Sequence, residues 1–161
     1  MAPAVSDNLA LLYEKFDTEL VLCLEGERRG TDLHVTNFRM PHIYISEAGR
    51  VQAASCESSS AVLGTWHNHP APGSLPGNSD TRELERNCYL SRTDIDDFRR
   101  RADALVAVVS CGPRTYAYWG RGDVELAEDD AIALPAVPGQ LVRSERRADD
   151  PERRLTQARE R

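Results

Sequence analysis

At 161 residues the chain fits one domain, whose single core buries roughly two thirds of the unfolded chain's surface, and it falls short of the about 250 residues of an eightfold α/β barrel. A formal charge of −6 argues against a general nucleic-acid binder. No stretch approaches the roughly 18 apolar residues of a membrane span, and the opening residues carry acids instead of a basic start and an unbroken apolar run, so neither an anchor nor a signal peptide is expected. The four cysteines, Cys23, Cys56, Cys88 and Cys111, stand far apart without a Cys-x-x-Cys. They read as reduced, buried thiols of a cytoplasmic protein.

The first element predicted is a helix capped by Ser6, with Leu9, Leu12, Tyr13 and Phe16 on one buried stripe. Glu19 then heads a continuous apolar run, Leu20 to Leu24, that suits a strand buried on both faces and stopped by Glu25-Gly26. A second strand is expected over Thr31 to Arg39, with Leu33, Val35 and Phe38 inward, and Pro41 breaks it. Short strands follow at His42 to Ser46 and Val51 to Cys56, joined by a turn at Ala48-Gly49. Ala61 to Trp66 reads as a strand delivering His67 to its end, and Pro70 to Asn78 as a loop. A short helix is expected over Asp80 to Leu90, with Leu84, Cys88 and Tyr89 inward, and a second from Ser91 carrying Ile95 and Phe98. Ala104 to Cys111 is the clearest strand, followed across Gly112-Pro113 by Thr115 to Trp119, with Val124 to Leu126 as a further edge. From Pro135 onward the composition becomes that of a polar tail.

Chemistry concentrates in Trp66-His67-Asn68-His69-Pro70. Residues two apart in an extended segment point to one face, so His67 and His69 can present both imidazoles to a single ion. Two histidines, one carboxylate and a water form a known catalytic zinc arrangement. A polar pair leaving a strand into a loop is the plainer alternative. Ser91 and Asp94 likewise have two readings: a capping box, in which the serine caps the helix and the acid reaches back, or part of the site. The two roles compete, because a carboxylate committed to a metal is less free to satisfy a helix start. Glu19 at the entrance to a core strand is costly to bury unless it is hydrogen-bonded or used. His34 and His42 read as ordinary strand residues.

Glu19, His67-Asn68-His69-Pro70 and Ser91-Arg92-Thr93-Asp94 together resemble the signature of the JAMM or MPN-plus zinc metalloproteases: a glutamate heading a strand, His-x-His-Pro, then Ser-x-x-Asp. The interval from Glu19 to Gly26 also matches that family's spacing. The resemblance spans the first helix to about Leu126. It implies an α/β fold of the cytidine-deaminase-like type, a mixed sheet flanked by helices, in residues 1–130, with 131–161 as a flexible tail. It implies one zinc per chain held by His67, His69 and Asp94, Glu19 as general base, and Ser91 as hydrogen-bond donor to the developing oxyanion. One departure concerns spacing: the family's usual interval would put the acid at Asp80, with Gly77 where serine belongs. Asp94 is favoured because Ser91 precedes it, because Ile95 and Phe98 continue as a core-facing helix, and because the strand from Leu105 follows at the family's distance. Residues 70–90 then form an insertion beside the site.

The activity implied is hydrolysis of a peptide or isopeptide bond, releasing ubiquitin-like proteins from conjugates or trimming their C-termini. The stand-alone form resembles prokaryotic members, some of which act in antiviral defence. The expected partner is a ubiquitin-like protein or its conjugate, with neither nucleic acid nor membrane. A non-catalytic MPN scaffold would carry a degraded ligand set, whereas every member is present here. A small-molecule amidase is the other enzymatic alternative.

Overall fold

A computed structural model describes residues 1–47, 49–56, 59–69, 88–122 and 141–143. Helix α1 spans Pro3–Lys15. Proline suits a first helical position, where its fixed φ is preorganised and its missing N–H has no partner to lose. The cap is therefore Ala2, whose backbone N–H donates to the Val35 carbonyl at 2.7 Å. Ser6, expected as the cap, lies inside the helix, its hydroxyl 3.1 Å from that of Tyr116. Val5, Leu9 and Tyr13 are buried as the stripe requires, but Phe16 is exposed because the helix ends before it and Phe16 takes an extended conformation.

Strand β1 (Val21–Arg29) runs past Glu25-Gly26, the expected stop, and turns at Gly30 (φ 63°) into β2 (Asp32–Arg39). Its polar half is sustained by cross-strand partners: Glu25 accepts from Arg39 at 2.8 Å and from Asn37 at 3.1 Å. Gly26 lies at a register shift, where a Cβ would fall 2.0 Å from the His34 carbonyl oxygen. Strands β3 (Ile43–Glu47) and β4 (Arg50–Ala53) form a separate two-stranded sheet, β4 ending well short of the expected Cys56. Strand β5 (Val62–Asn68) includes His67 within its length. Helix α2 (Arg92–Arg100) starts at Ser91 as expected, and β6 (Val106–Gly112) and β7 (Thr115–Gly120) follow. Within the segment read as tail, β8 (Leu141–Arg143) pairs with β7.

The main sheet runs β2-β1-β5-β6-β7-β8 and is antiparallel except for the β5–β6 pair. Parallel neighbours need a crossover, and the chain from β5 to β6 carries α2. Every residue of β6 is buried, as expected of a strand covered on both faces. Val106 and Val108 join Leu9, Leu22 and Trp66 in one cluster, which also takes in Val5 of α1. Ala107 and Val109 join Ile95, Phe98 and Trp119 in a second, on the α2 side. The result is a small mixed α/β domain. Among the described residues no helix is long and apolar enough to cross a membrane.

The reading of the cysteines as free thiols is corrected: Cys23 is bonded to Cys56 and Cys88 to Cys111, leaving none free. Their separations of 33 and 23 residues are bridged by tertiary approach, to which local spacing gives no clue. Pro70 to Asn78, Asp80 to Asn87 and Val124 to Leu126 lie outside the described residues. Cys88 to Leu90, expected to close a helix, are not helical.

Gly64 faces Val106 across the parallel pair, and a Cβ there would meet the Val106 carbonyl oxygen at 1.8 Å. Gly64→Ala is expected to lower unfolding free energy by roughly 3 kcal/mol, since backbone rather than a flexible side chain must yield. Gly49→Ala, with nothing within 4 Å, should stay within about 0.5 kcal/mol. Urea denaturation of the two variants checks the contrast.

Candidate metal centre

The β1–β5 register sets Val21 opposite His67 and Leu22 opposite Trp66. Side chains alternate, so Trp66 packs into the core beside Leu22, while Thr65 and His67 face a cavity of about 660 Å³. That cavity is also lined by Glu19, Ser91, Asp94 and the residues of β4. Beyond Asn68 the chain leaves β1: the His69 N–H donates to the Ser110 carbonyl of β6 at 3.1 Å. His69 remains buried beside His67, the two being 9% and 5% exposed.

The imidazole Nε2 atoms stand 3.3 Å apart. Two nitrogens about 2.0–2.1 Å from one tetrahedral ion would be separated by roughly that distance. Glu19 supplies a carboxylate to the same point, the three ligand atoms lying within 4.8 Å of one another. Its backbone is held from the β3 side, with the Glu19 N–H donating to the Glu47 carbonyl at 2.9 Å and the Ser46 hydroxyl donating to the Glu19 carbonyl at 3.0 Å. Half-buried Glu19 and buried His67 and His69 therefore form a group that could hold a metal ion.

Asp94 stands at the border of this group, its Oδ2 3.7 Å from His67 Nε2. The same oxygen accepts from the Ser91 backbone N–H at 2.8 Å and the Ser91 hydroxyl at 2.6 Å, and Ser91 Oγ in turn accepts from the Asp94 N–H at 3.3 Å. Both sequence readings of Ser91 and Asp94 thus meet in one place: the pair forms a complete capping box, and it borders the histidines. The compact three-donor set contains Glu19, which the sequence reading made the base, instead of Asp94. Asp80, the rival ligand, lies outside the described residues. Neither His34, paired with Glu27 across the hairpin, nor His42, edge-on to Tyr44, belongs to the group.

Electrostatics follow from this crowding. Burial pushes the Glu19 carboxyl above its ordinary range, a shift that His67 opposes and Asp94 reinforces. Burial acts the same way on Asp94, but His67, the two hydrogen bonds from Ser91, and His69 outweigh it and hold that carboxyl below its usual range. One carboxylate is kept a readier proton acceptor while its neighbour is kept ionised.

The sequence reading took Tyr89 only as an inward helix residue and gave Ser110 no role. The Tyr89 ring lies 4.5 Å from that of His69, and burial, Asp94 and Glu19 raise its phenol. Ser110 accepts from the Trp66 indole at 2.7 Å through its hydroxyl and from His69 through its carbonyl. Nothing in the local pattern of either marks a contact with a distant strand or ring.

No family model and no curated protein matches the chain.

A metal-free preparation should be stabilised by added zinc, by about 2.7 kcal/mol at a hundredfold excess over Kd. His67→Ala should abolish the gain. Because protons compete with the metal for imidazole nitrogen, the gain should also shrink as pH is lowered from about 8 to about 5. Thermal unfolding with and without zinc across this range checks both expectations.

Proposed function

We propose that the protein is a zinc hydrolase of the JAMM or MPN-plus type, on a cytidine-deaminase-like sheet, that cleaves a peptide or isopeptide bond. The observation that carries this reading is the convergence of Glu19, His67 and His69 on one point, with Asp94 beside His67 at the start of α2. Two imidazoles and a carboxylate suit zinc among the common metals. When bound, such an ion supplies Lewis acidity that activates water and polarises an amide carbonyl.

The chain's own groups then divide the work. In the proposed active arrangement Asp94 turns from the cap to complete the ligand set, and Glu19 is the base. Glu19 takes a proton from water as its oxygen bonds to the carbonyl carbon, and delivers a proton to the nitrogen as the C–N bond breaks. Its raised pKa favours both halves of that exchange. With Asp94 turned away, the Ser91 hydroxyl is released to donate to the developing oxyanion.

Substrate recognition draws on the same cavity. Strand β4 lines it and, among the described residues, pairs only with β3. An extended C-terminal tail of a ubiquitin-like protein could lie along that edge by strand addition, bringing its last glycines to the metal. Whether release from conjugates or trimming of a precursor is served, the bond cleaved follows a narrow, flexible tail.

A fluorogenic amide on a peptide ending in Gly-Gly provides the direct test. Glu19→Gln should retain about one zinc per chain and lose at least about a hundredfold in kcat; full activity in this variant would refute the assigned base. Asp94→Ala should lose zinc whereas Asp80→Ala keeps it, as read by metal analysis, and the reverse result would transfer the ligand role to Asp80.

A cytoplasmic setting belongs to the same proposal, and the two cysteine pairs supply its test. Both pairs are closed in the fold, so thiol alkylation of protein trapped in acid from its host decides the setting: four reduced sulfurs would support it, and pairs kept closed, as in an oxidising compartment, would overturn it.

A further inference from the structure

We infer that Asn68, the residue between the two histidines, is a positioning residue that holds Glu19 against them; the catalytic part of this inference rests on the hydrolase reading above. Asn68 is fully buried. Its Oδ1 accepts from the Leu20 backbone N–H at 2.7 Å, and its Nδ2 donates to the Thr18 carbonyl at 3.2 Å. One amide thus grips the backbone on both sides of Glu19. Its orientation follows from its partners, since an N–H requires the oxygen and a carbonyl requires the nitrogen.

The need for this grip follows from the path of the strands. In a hydrogen-bonded antiparallel pair the two residues exchange both backbone bonds. At Leu20 and Asn68 half of the exchange is made, with the Asn68 N–H donating to the Leu20 carbonyl at 3.3 Å. The return bond, from Leu20 N–H, goes to the Asn68 side chain instead of its carbonyl. His69 has by then turned to β6, and β1 proper begins only at Val21. The side-chain amide therefore continues the β1–β5 ladder past the point where the backbones part, over the segment that carries Glu19.

Ser46 and Glu47 hold the Glu19 peptide groups from the other side, from β3. Asn68 alone among these partners connects Glu19 to β5 itself, so the base and the ligands are referenced to one strand. Alanine at this position removes both bonds without touching a metal donor. A shift of the base by about 1 Å can cost on the order of a hundredfold in rate.

Two measurements test this. In Asn68→Ala, amide hydrogen exchange at Leu20 should accelerate by roughly tenfold or more while Leu24, in the middle of β1, keeps its wild-type protection. With zinc at one per chain, turnover of the fluorogenic Gly-Gly peptide should fall ten- to a hundredfold in kcat with KM within about twofold. Equal acceleration at Leu20 and Leu24 would mean a merely structural role and overturn the inference. Full kcat in Asn68→Ala alongside an inactive Glu19→Gln would overturn it too, leaving the hydrolase reading intact. A wild-type chain that never cleaves the probe would count against that reading, and the exchange experiment would then decide whether Asn68 holds the segment. Should Asn68→Ala fail to fold, Asn68→Asp retains the acceptor for Leu20 and loses the donor for Thr18. It should keep Leu20 protected while kcat still drops, and unprotected Leu20 with full kcat would overturn the inference.

Discussion

The hydrogen bond from His69 N–H to the Ser110 carbonyl is the constraint on which the site depends. Strand β5 serves two neighbours, β1 antiparallel on one side and β6 parallel on the other. At its last residues it cannot follow both. By choosing β6 it opens a gap at the end of β1, and the gap is where Glu19 and the two imidazoles meet. Crevices of this kind form where neighbouring strands part at the carboxyl ends of parallel strands, and ligands are commonly bound there. Ser110 is doubly engaged, since its hydroxyl also fixes the Trp66 indole on the opposite face of β5. The placement of His69 is thereby coupled to the packing of the core.

Crowding around that gap puts two carboxyls and two imidazoles in a mostly buried space, a costly arrangement unless charges compensate. The observed hydrogen bonds divide the two acids. Asp94 is held below its usual range by His67 and the hydrogen bonds from Ser91, while burial raises Glu19, whose peptide groups are bonded to Glu47 and Ser46. A divalent ion would relieve this imbalance by drawing both acids toward one charge. Under the proposed ligand set the capping box would weaken as Asp94 turned to the ion, so the helix start and the metal would compete for one carboxylate. Such competition would couple α2 to metal occupancy.

How much of this was legible in the sequence varied with the range of the interactions. Local signals were strong: Ser91 and Asp94 form a capping box at their expected spacing, Ile95 and Phe98 face the core, and the apolar run of β6 is buried on both faces. Hydrophobic period and cap chemistry act within a few residues, and a sequence displays them directly. Long-range partners were not legible. Ser6 looks like a cap until Pro3 and the Ala2–Val35 bond are seen, and the cysteines look solitary because their pairs form across the fold. Glu25-Gly26 looks like a stop because only β2 supplies the partners that let polar residues continue a strand.

Asn68 is the instructive case, because a variable-looking residue between two metal-type ligands invites no reading of its own. His67 faces the cavity and His69 lies beside it, so alternation turns Asn68 the other way, toward the end of β1. A residue there can pack, or it can replace a missing backbone bond. A hydrocarbon would leave the Leu20 N–H buried without an acceptor, and an unsatisfied buried donor costs about 1–3 kcal/mol. A short hydroxyl could satisfy one of the two backbone groups that the amide satisfies together. Asn68 thus reaches Glu19 through the backbone on either side of it. In the proposed site, ligand geometry and base position would in this way be set by three consecutive residues, His67 to His69.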